Sequence, residues 1–280
     1  MSTIPTVRLP TGETVAALGQ GTWTMGDSSR RRKEEVTALR LGLDLGMTLI
    51  DTAEMYASGG AEEVVGEAIA GRRDQAFIVS KVMPGNSSRR GTVAACEKSL
   101  KRLKVEAIDL YLLHWPGNVP IAETVDAFTT LKRAGKIRHW GVSNFDIDEM
   151  KELIDVPGGD AVSTNQVMYN LRRRGVEFDL IPWCLQRHVT LMAYSPLDQG
   201  RLLRSREIEQ IAAKHKATPA QVALAWCLLQ EQTMVIPKAG SEAHVRENYG
   251  ALLVQLDDKD LAALDRAFPP PARKKPLEST

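Results

Sequence analysis

Four side chains of reactive type come at the ends of successive short apolar runs: Asp51 with Tyr56, then Lys81, then His114. A phenol beside an ammonium group is a tuned proton donor, because the positive charge stabilises the phenolate and lowers the pKa. A carboxylate paired with the lysine keeps the lysine charged, and a neutral imidazole can donate a hydrogen bond that orients a carbonyl. A proton given to a carbonyl oxygen also requires a hydride for the carbon, which no side chain supplies. The set therefore predicts carbonyl reduction with a nicotinamide cofactor.

A second group of polar residues follows the later apolar runs. Ser143, Asn144 and Gln166 carry donors and acceptors that complement a carboxamide, and Tyr194 offers a ring for stacking. Lys238 precedes a Gly-Ser turn and a predicted helix from residue 242, which favours phosphate binding. Each residue also has a plainer interpretation: a helix cap, a buried histidine, a core aromatic or a solvated lysine. The case for chemistry depends on their occurring together.

The elements that must position these residues alternate regularly along the chain. Apolar runs rich in β-branched residues predict eight strands, at 16–23, 47–52, 76–82, 107–114, 137–144, 162–167, 189–196 and 233–239. Helical periodicity predicts helices at 34–45, 61–70, 92–103, 121–134, 147–154 and 205–216. Thr218 with Pro219 begins a further helix, and Asp257 caps the last one.

Eight strand and helix units favour closure into a (β/α)₈ TIM barrel, whose active face lies at the carboxyl ends of the strands. An open doubly wound sheet would give similar periodicity, but the chain has no dinucleotide-binding glycine fingerprint. Residues 7–9 and 13–15 around Gly12 predict a β-hairpin that closes the barrel floor. Residues 1–280 are expected to form a single domain, with 269–280 as a flexible, exposed C-terminal tail.

Composition excludes several classes of protein. Thirty-six lysine and arginine residues against 35 aspartate and glutamate residues leave a net charge of +1, which provides no general field for nucleic acid or a membrane surface. The three cysteines lie far apart, without metal-ligand spacing, and favour a reducing compartment. With no apolar stretch long enough for a membrane span and no secretory signal, we expect a cytoplasmic protein without a metal site.

Several motifs together resemble the aldo-keto reductase family. They are 49–53 (LIDTA) with Tyr56, 80–82 (SKV), 108–116 (IDLYLLHWP), 141–145 (GVSNF), 165–166 (NQ), 193–197 (AYSPL) and 236–238 (IPK). Each motif is modest alone, but their order and spacing cover nearly the whole chain. The resemblance implies a barrel without a Rossmann motif, NADPH-dependent carbonyl reduction, and a tetrad of Asp51, Tyr56, Lys81 and His114 in which Tyr56 is the general acid.

The same resemblance implies the binding residues. Ser143, Asn144 and Gln166 would hold the nicotinamide carboxamide, Tyr194 would stack on the ring, and Ser195 and Leu197 would contact the pyrophosphate. Backbone at Gly21 and Thr22 would approach the cofactor, and the indoles of Trp23 and Trp115 would border the substrate. The adenosine end would be held by Lys238, Ala239, His244, Glu247 and Asn248.

Two of these positions depart from the family pattern. Ala239 replaces the usual serine or threonine, and His244 stands where many members place an arginine for the 2′-phosphate. NADPH is still expected over NADH, with a weaker preference, because a neutral histidine cannot pair bidentately with phosphate.

The short loop at 198–201 resembles that of bacterial members that reduce dicarbonyls, keto-sugars and small aldehydes. We therefore expect a small carbonyl substrate and, as in most relatives, a monomer. Two other functions remain open on the same barrel: a Schiff-base aldolase or lyase that uses Lys81 as its nucleophile, and a cofactor-binding regulatory subunit.

Overall fold

A β-hairpin covers one end of the molecule in the computed structural model, which describes residues 4–279. Strands β1 (Thr6–Arg8) and β2 (Thr14–Ala16) pair antiparallel, and Gly12 takes the positive φ of 91° that their turn requires. The apolar side chains of the hairpin pack against the barrel interior, and the Glu13 carboxylate accepts hydrogen bonds from Arg138 on the barrel floor. The predicted hairpin and its position are confirmed.

Eight parallel strands form the barrel itself, as the sequence predicts. They are β3 (Gln20–Gly21), β4 (Leu49–Asp51), β5 (Phe77–Val82), β6 (Ile108–Leu113), β7 (Ile137–Ser143), β8 (Thr164–Met168), β9 (Thr190–Tyr194) and β10 (Thr233–Val235). Each strand pairs with its neighbours in chain order, and parallel bridges from Leu18 to Val235 and from Gly21 to Lys238 close the ring. Both faces of these strands are buried, which explains their nearly continuous apolar sequence.

Within the described residues, ten helices connect the strands or follow them. They are α1 (Arg32–Asp44), α2 (Gly60–Ala68), α3 (Arg89–Leu103), α4 (Ile121–Arg133), α5 (Ile147–Asp155), α6 (Leu180–Gln186), α7 (Arg206–His215), α8 (Pro219–Leu228), α9 (Glu242–Tyr249) and α10 (Asp258–Ala267). The predicted caps at Thr218 and Asp257 are present, each with a reciprocal capping box. Only α6 was not predicted, because its seven residues are too few for helical periodicity and include Pro182.

The core has two layers, as expected for a barrel with surrounding helices. The smaller lies inside the barrel and joins the hairpin to inward-facing strand residues such as Leu49, Leu110 and Met192. The larger lies between the strands and the helices. No helix within residues 4–279 is long and apolar enough to cross a membrane.

The segment after α10 returns to the barrel mouth instead of extending away from it. Lys274 lies 3.5 Å from both Asp146 and Asp179, and Glu278 forms an ion pair with Arg173. Leu277 is half-buried against the core. Residues 274–276 are exposed, whereas Leu277 and Glu278 are half-buried. The contacts of this segment with the loops after β7 and β8 arise from residues distant in sequence.

Candidate active site

Asp51 and Lys81 form a buried ion pair at the mouth of the barrel. Asp51 ends β4 and Lys81 lies near the end of the adjacent β5, so parallel pairing brings them together. The Lys81 ammonium donates to both carboxylate oxygens, at 2.7 and 2.8 Å, and to the carbonyl oxygen of Thr52 at 2.9 Å. The lysine side chain is fully buried. Its burial lowers the pKa of Lys81, and the charge of Asp51 opposes that shift.

Tyr56 lies in the turn after β4, with its hydroxyl 3.4 Å from the Lys81 ammonium nitrogen. The expected lowering of its pKa is wrong for this structure. Burial, with a further contribution from the negative charge of Asp51, raises the pKa of Tyr56 well above 10. The physical reason is that burial disfavours the charged phenolate more than the Lys81 ammonium, which is 3.4 Å away and paired with Asp51, favours it.

His114 follows β6 and lies at the edge of the same site. Its ring meets that of Tyr56 edge to face, with 5.7 Å between centroids, and lies 4.8 Å from the Trp115 ring. Burial, reinforced by the positive charge of Lys81, lowers the pKa of His114 to about 2. The imidazole is therefore neutral at physiological pH, as predicted from the sequence.

The amide-bearing residues are held by hydrogen bonds at the ends of β7 and β8. Asn144, in a left-handed conformation with φ of 59°, donates to the His114 carbonyl oxygen and the Ser143 hydroxyl and accepts from the Tyr194 hydroxyl. Gln166 donates to Asp51 at 2.7 Å, which links the carboxamide-binding candidates directly to the ion pair. The predicted catalytic residues and the predicted carboxamide-binding residues are thus joined in one hydrogen-bond network.

A cavity of about 1110 Å³, called here the main cavity, extends across this face of the barrel. This volume slightly exceeds the roughly 300–1,000 Å³ found for small-molecule sites. Predicted site residues that line it are Gly21, Trp23, Asp51, Tyr56, His114, Trp115, Ser143, Asn144, Gln166, Tyr194, Ser195, Leu197 and Lys238. The structure therefore brings together residues from seven of the eight strand ends. The exception is β5, whose Lys81 is buried behind Asp51.

The remaining predicted binding residues lie outside the lining of the main cavity. Thr22 is buried and its hydroxyl donates to the Asp51 carbonyl oxygen. Ala239 packs in a small core cluster. His244, Glu247 and Asn248 lie on α9, just beyond Lys238. Among them, Asn248 has a buried side-chain nitrogen without a hydrogen-bond partner among residues 4–279, as expected of a group that awaits a ligand.

Sequence reasoning missed several residues that line the main cavity: Thr24, Met55, Pro116, Asp146, Glu149, Gln199, Gly200, Pro276, Leu277 and Ser279. Most of these are neighbours of predicted residues and could have been found by extending each strand end further. The tail residues were missed because a basic, proline-rich segment resembles an unpacked extension. The sequence signal that could have found this segment is Leu277, an isolated apolar residue between the basic residues 273–275 and Glu278.

The geometry disfavours Lys81 as a Schiff-base nucleophile. An attacking amine must be neutral and must reach a substrate carbonyl. The Lys81 side chain has no exposure, and its three hydrogen bonds direct the ammonium toward Asp51 and Thr52.

Comparison with known proteins agrees with the barrel fold. A family model described as the aldo/keto reductase family matches residues 17–268. Methylglyoxal reductase YeaE of Escherichia coli is 52% identical over 94% of this chain and 94% of its own. Glyoxal reductase of Bacillus subtilis is 35% identical over 93% of this chain and 91% of its own. A Klebsiella pneumoniae aldo/keto reductase, crystallised with NADP and acetate, is 47% identical with a TM-score of 0.97, covering 99% of this chain and all of that one.

Fold and site thus define an oxidoreductase barrel that acts on carbonyl compounds. The chain belongs to the aldo/keto reductase family.

Proposed function

We propose that this protein reduces small, uncharged aldehydes and α-dicarbonyls to alcohols, with NADPH as the hydride donor and Tyr56 as the general acid. The observation that carries the proposal is the placement of Tyr56 and His114 in the wall of the main cavity, directly in front of the buried Asp51–Lys81 pair.

Tyr56 would supply the proton. Its raised pKa keeps the phenol protonated throughout the neutral range, which is the form required of an acid. As the carbonyl carbon accepts hydride, the carbonyl oxygen gains negative charge and takes the proton from the Tyr56 hydroxyl. The Lys81 ammonium, 3.4 Å from that hydroxyl, would stabilise the phenolate that remains.

His114 would orient the substrate. Because its pKa is about 2, the neutral ring can donate one hydrogen bond to a carbonyl oxygen without competing as a proton source. The Nδ1 atom is buried without a partner among residues 4–279, which leaves Nε2 as the nitrogen available to a ligand.

The remaining cavity residues fit a nicotinamide dinucleotide, which supplies a hydride when bound. Ser143, Asn144 and Gln166 would hold the carboxamide, and Tyr194 would pack on the ring. The lining continues through Ser195 and Leu197, where a pyrophosphate would lie, to Lys238, which would meet the adenosine phosphate. NADPH is preferred because Lys238 offers a cation at this end and because a 47% identical structure contains NADP.

The charge of the lining supports uncharged substrates. Trp23, Met55 and Trp115 give this end of the cavity an apolar wall. Lys238 is the only lysine or arginine that lines the cavity among residues 4–279, whereas Asp146 and Glu149 add carboxylates. A keto acid would therefore find no counter-ion near Tyr56. The relatives named methylglyoxal reductase and glyoxal reductase fit this preference.

The experiment that tests the proposal follows the loss of NADPH absorbance with methylglyoxal, for the wild type and for Tyr56→Phe. We expect Tyr56→Phe to lower turnover by about 10² to 10⁴-fold while NADPH affinity, measured by fluorescence, stays within about twofold. Benzaldehyde and 4-carboxybenzaldehyde form a matched pair for charge, and the uncharged member should give the higher kcat/KM.

Full turnover by Tyr56→Phe would refute the role of the phenol. Tight NADPH binding by the wild type, without turnover of any of these carbonyls, would instead favour a cofactor-binding regulatory subunit. Equal kcat/KM for the two benzaldehydes would refute the preference for uncharged substrates.

A further inference from the structure

The turn that carries Tyr56 has an unfavourable backbone conformation. The three residues that follow Tyr56 all have positive φ: 50° at Ala57, 52° at Ser58 and 95° at Gly59. Ala57 and Ser58 carry a Cβ atom, for which this region is sparsely populated, so such a conformation persists only where its surroundings enforce it. The position of the Tyr56 hydroxyl therefore depends on what this turn packs against.

The turn rests on the side chain of Arg102 from α3. A Cβ atom on Gly59 would lie 2.5 Å from the Arg102 Cδ and 2.7 Å from its Nε, so the glycine backbone is in direct contact with the arginine. Arg102 is itself fixed at its head group, where Nε donates to the Glu62 carboxylate at 2.5 Å and a terminal nitrogen donates to Ser99 at 3.2 Å. Its side chain is only 23% exposed.

Glu62 joins this support to the strand that carries Lys81. Its side chain is fully buried on α2, three residues beyond Gly59, and its second oxygen accepts a hydrogen bond from the Ser80 hydroxyl at 2.6 Å. Ser80 precedes Lys81 on β5, and successive strand residues face opposite sides. Ser80 thus contacts α2 outside the barrel, while Lys81 points inside toward Asp51.

One buried carboxylate therefore connects the two elements whose separation sets the contact between Tyr56 and Lys81. We propose that Glu62 is a positioning residue for this pair, holding the Tyr56 turn through Arg102 and the Lys81 strand through Ser80. It does not touch the main cavity or the reacting groups. This inference rests on the proposed function, since it assigns Glu62 a part in proton donation by Tyr56.

The test replaces Glu62 by glutamine, which keeps the size of the side chain and can still accept from Ser80. Arg102 loses its anionic partner, and the Tyr56 turn loses its fixed support. With saturating NADPH and methylglyoxal, we expect kcat to fall about tenfold to a hundredfold, because misplacement of a catalytic group by ~1 Å has costs of this order. The KM for methylglyoxal and the NADPH affinity should stay within about twofold.

The solvent deuterium isotope effect on kcat separates positioning from general damage. It should rise in Glu62→Gln, because slower proton transfer from a displaced Tyr56 then limits turnover. The matched control is Glu63→Gln, the next residue on α2, whose half-exposed carboxylate pairs with Arg32 on the surface. Glu63→Gln should retain the wild-type kcat and isotope effect.

Gly59→Ala gives a second variant that leaves Glu62 intact. An alanine is strained at the φ of 95°, and its Cβ would lie 2.5 Å from the Arg102 Cδ, so the turn and Arg102 must separate. The variant should therefore show the same lowered kcat and raised isotope effect. If Glu62→Gln does not fold, the kcat and the isotope effect of Gly59→Ala test the proposal instead.

Wild-type kcat and isotope effect in a folded Glu62→Gln would overturn the proposal. So would parallel losses in kcat, KM and NADPH affinity, which indicate structural damage without a specific effect on proton transfer. Assays of Tyr56→Phe in the same experiment distinguish failure of the proposed function from failure of the positioning role. If Tyr56→Phe retains turnover, both the proposed function and the positioning role of Glu62 are refuted. If Tyr56→Phe loses turnover and Glu62→Gln retains it, only the positioning role is refuted.

Discussion

Replacing Lys81 by methionine should destabilise the protein strongly at neutral pH, because it leaves the Asp51 carboxylate buried without its counter-ion. Asp51 is 4% exposed at its side chain and accepts two hydrogen bonds from Lys81, at 2.7 and 2.8 Å. After the change, the Gln166 amide is the one donor left to this carboxylate among residues 4–279. Removal of one partner from a buried ion pair costs about 3–5 kcal/mol, and we expect a loss of unfolding free energy in that range.

The loss has an electrostatic cause. Burial of an ionised carboxylate without a counter-ion is unfavourable, so the loss should be present in full at pH 7.5, where carboxylates are ionised.

Urea unfolding followed by tryptophan fluorescence measures these differences. Asp51→Asn combined with Lys81→Met removes both charges, and this double variant should recover most of the loss at pH 7.5. The exposed Lys98→Met serves as the control and should stay within about 0.5 kcal/mol of the wild type. Wild-type stability of Lys81→Met at pH 7.5, or a double variant no more stable than the single one, would refute this account of the ion pair.

Two further changes test other parts of the site. The pKa of His114 is about 2 in the folded protein and about 6.5 when unfolded, so the free energy of unfolding should decline by about 1.4 kcal/mol per pH unit below pH 6.5. His114→Gln should flatten this slope in urea titrations between pH 4.5 and 7.5. An unchanged slope would show that His114 is not the cause of the pH dependence. His244→Arg places a guanidinium on exposed α9 beyond Lys238, and the ratio of NADH to NADPH dissociation constants should rise about tenfold in fluorescence titrations. An unchanged ratio would show that the 2′-phosphate of NADPH does not bind near residue 244.

Local residue patterns were sufficient to predict the barrel. Each apolar run must be buried on both faces, and each connection is long enough for a helix, so parallel pairing follows from general rules. An open sheet shares that periodicity, and closure was predicted from the count of eight strands and the missing dinucleotide-binding glycine fingerprint. The tetrad could be predicted for the same reason. Asp51, Lys81 and His114 lie at or near strand ends, and a closed parallel barrel brings those ends to one face.

What the sequence determined, then, was which side chains meet at the mouth of the barrel; their electrostatic behaviour was decided by tertiary structure. The direction of the Tyr56 pKa depends on burial and on how Lys81 divides its hydrogen bonds, neither of which is a property of local sequence. The docking of Leu277 and the support of Gly59 by Arg102 likewise depend on contacts between distant elements. Periodicity specifies which face of an element is buried, whereas the distances between polar groups that set pKa values and hold strained turns exist only once all the elements have packed together.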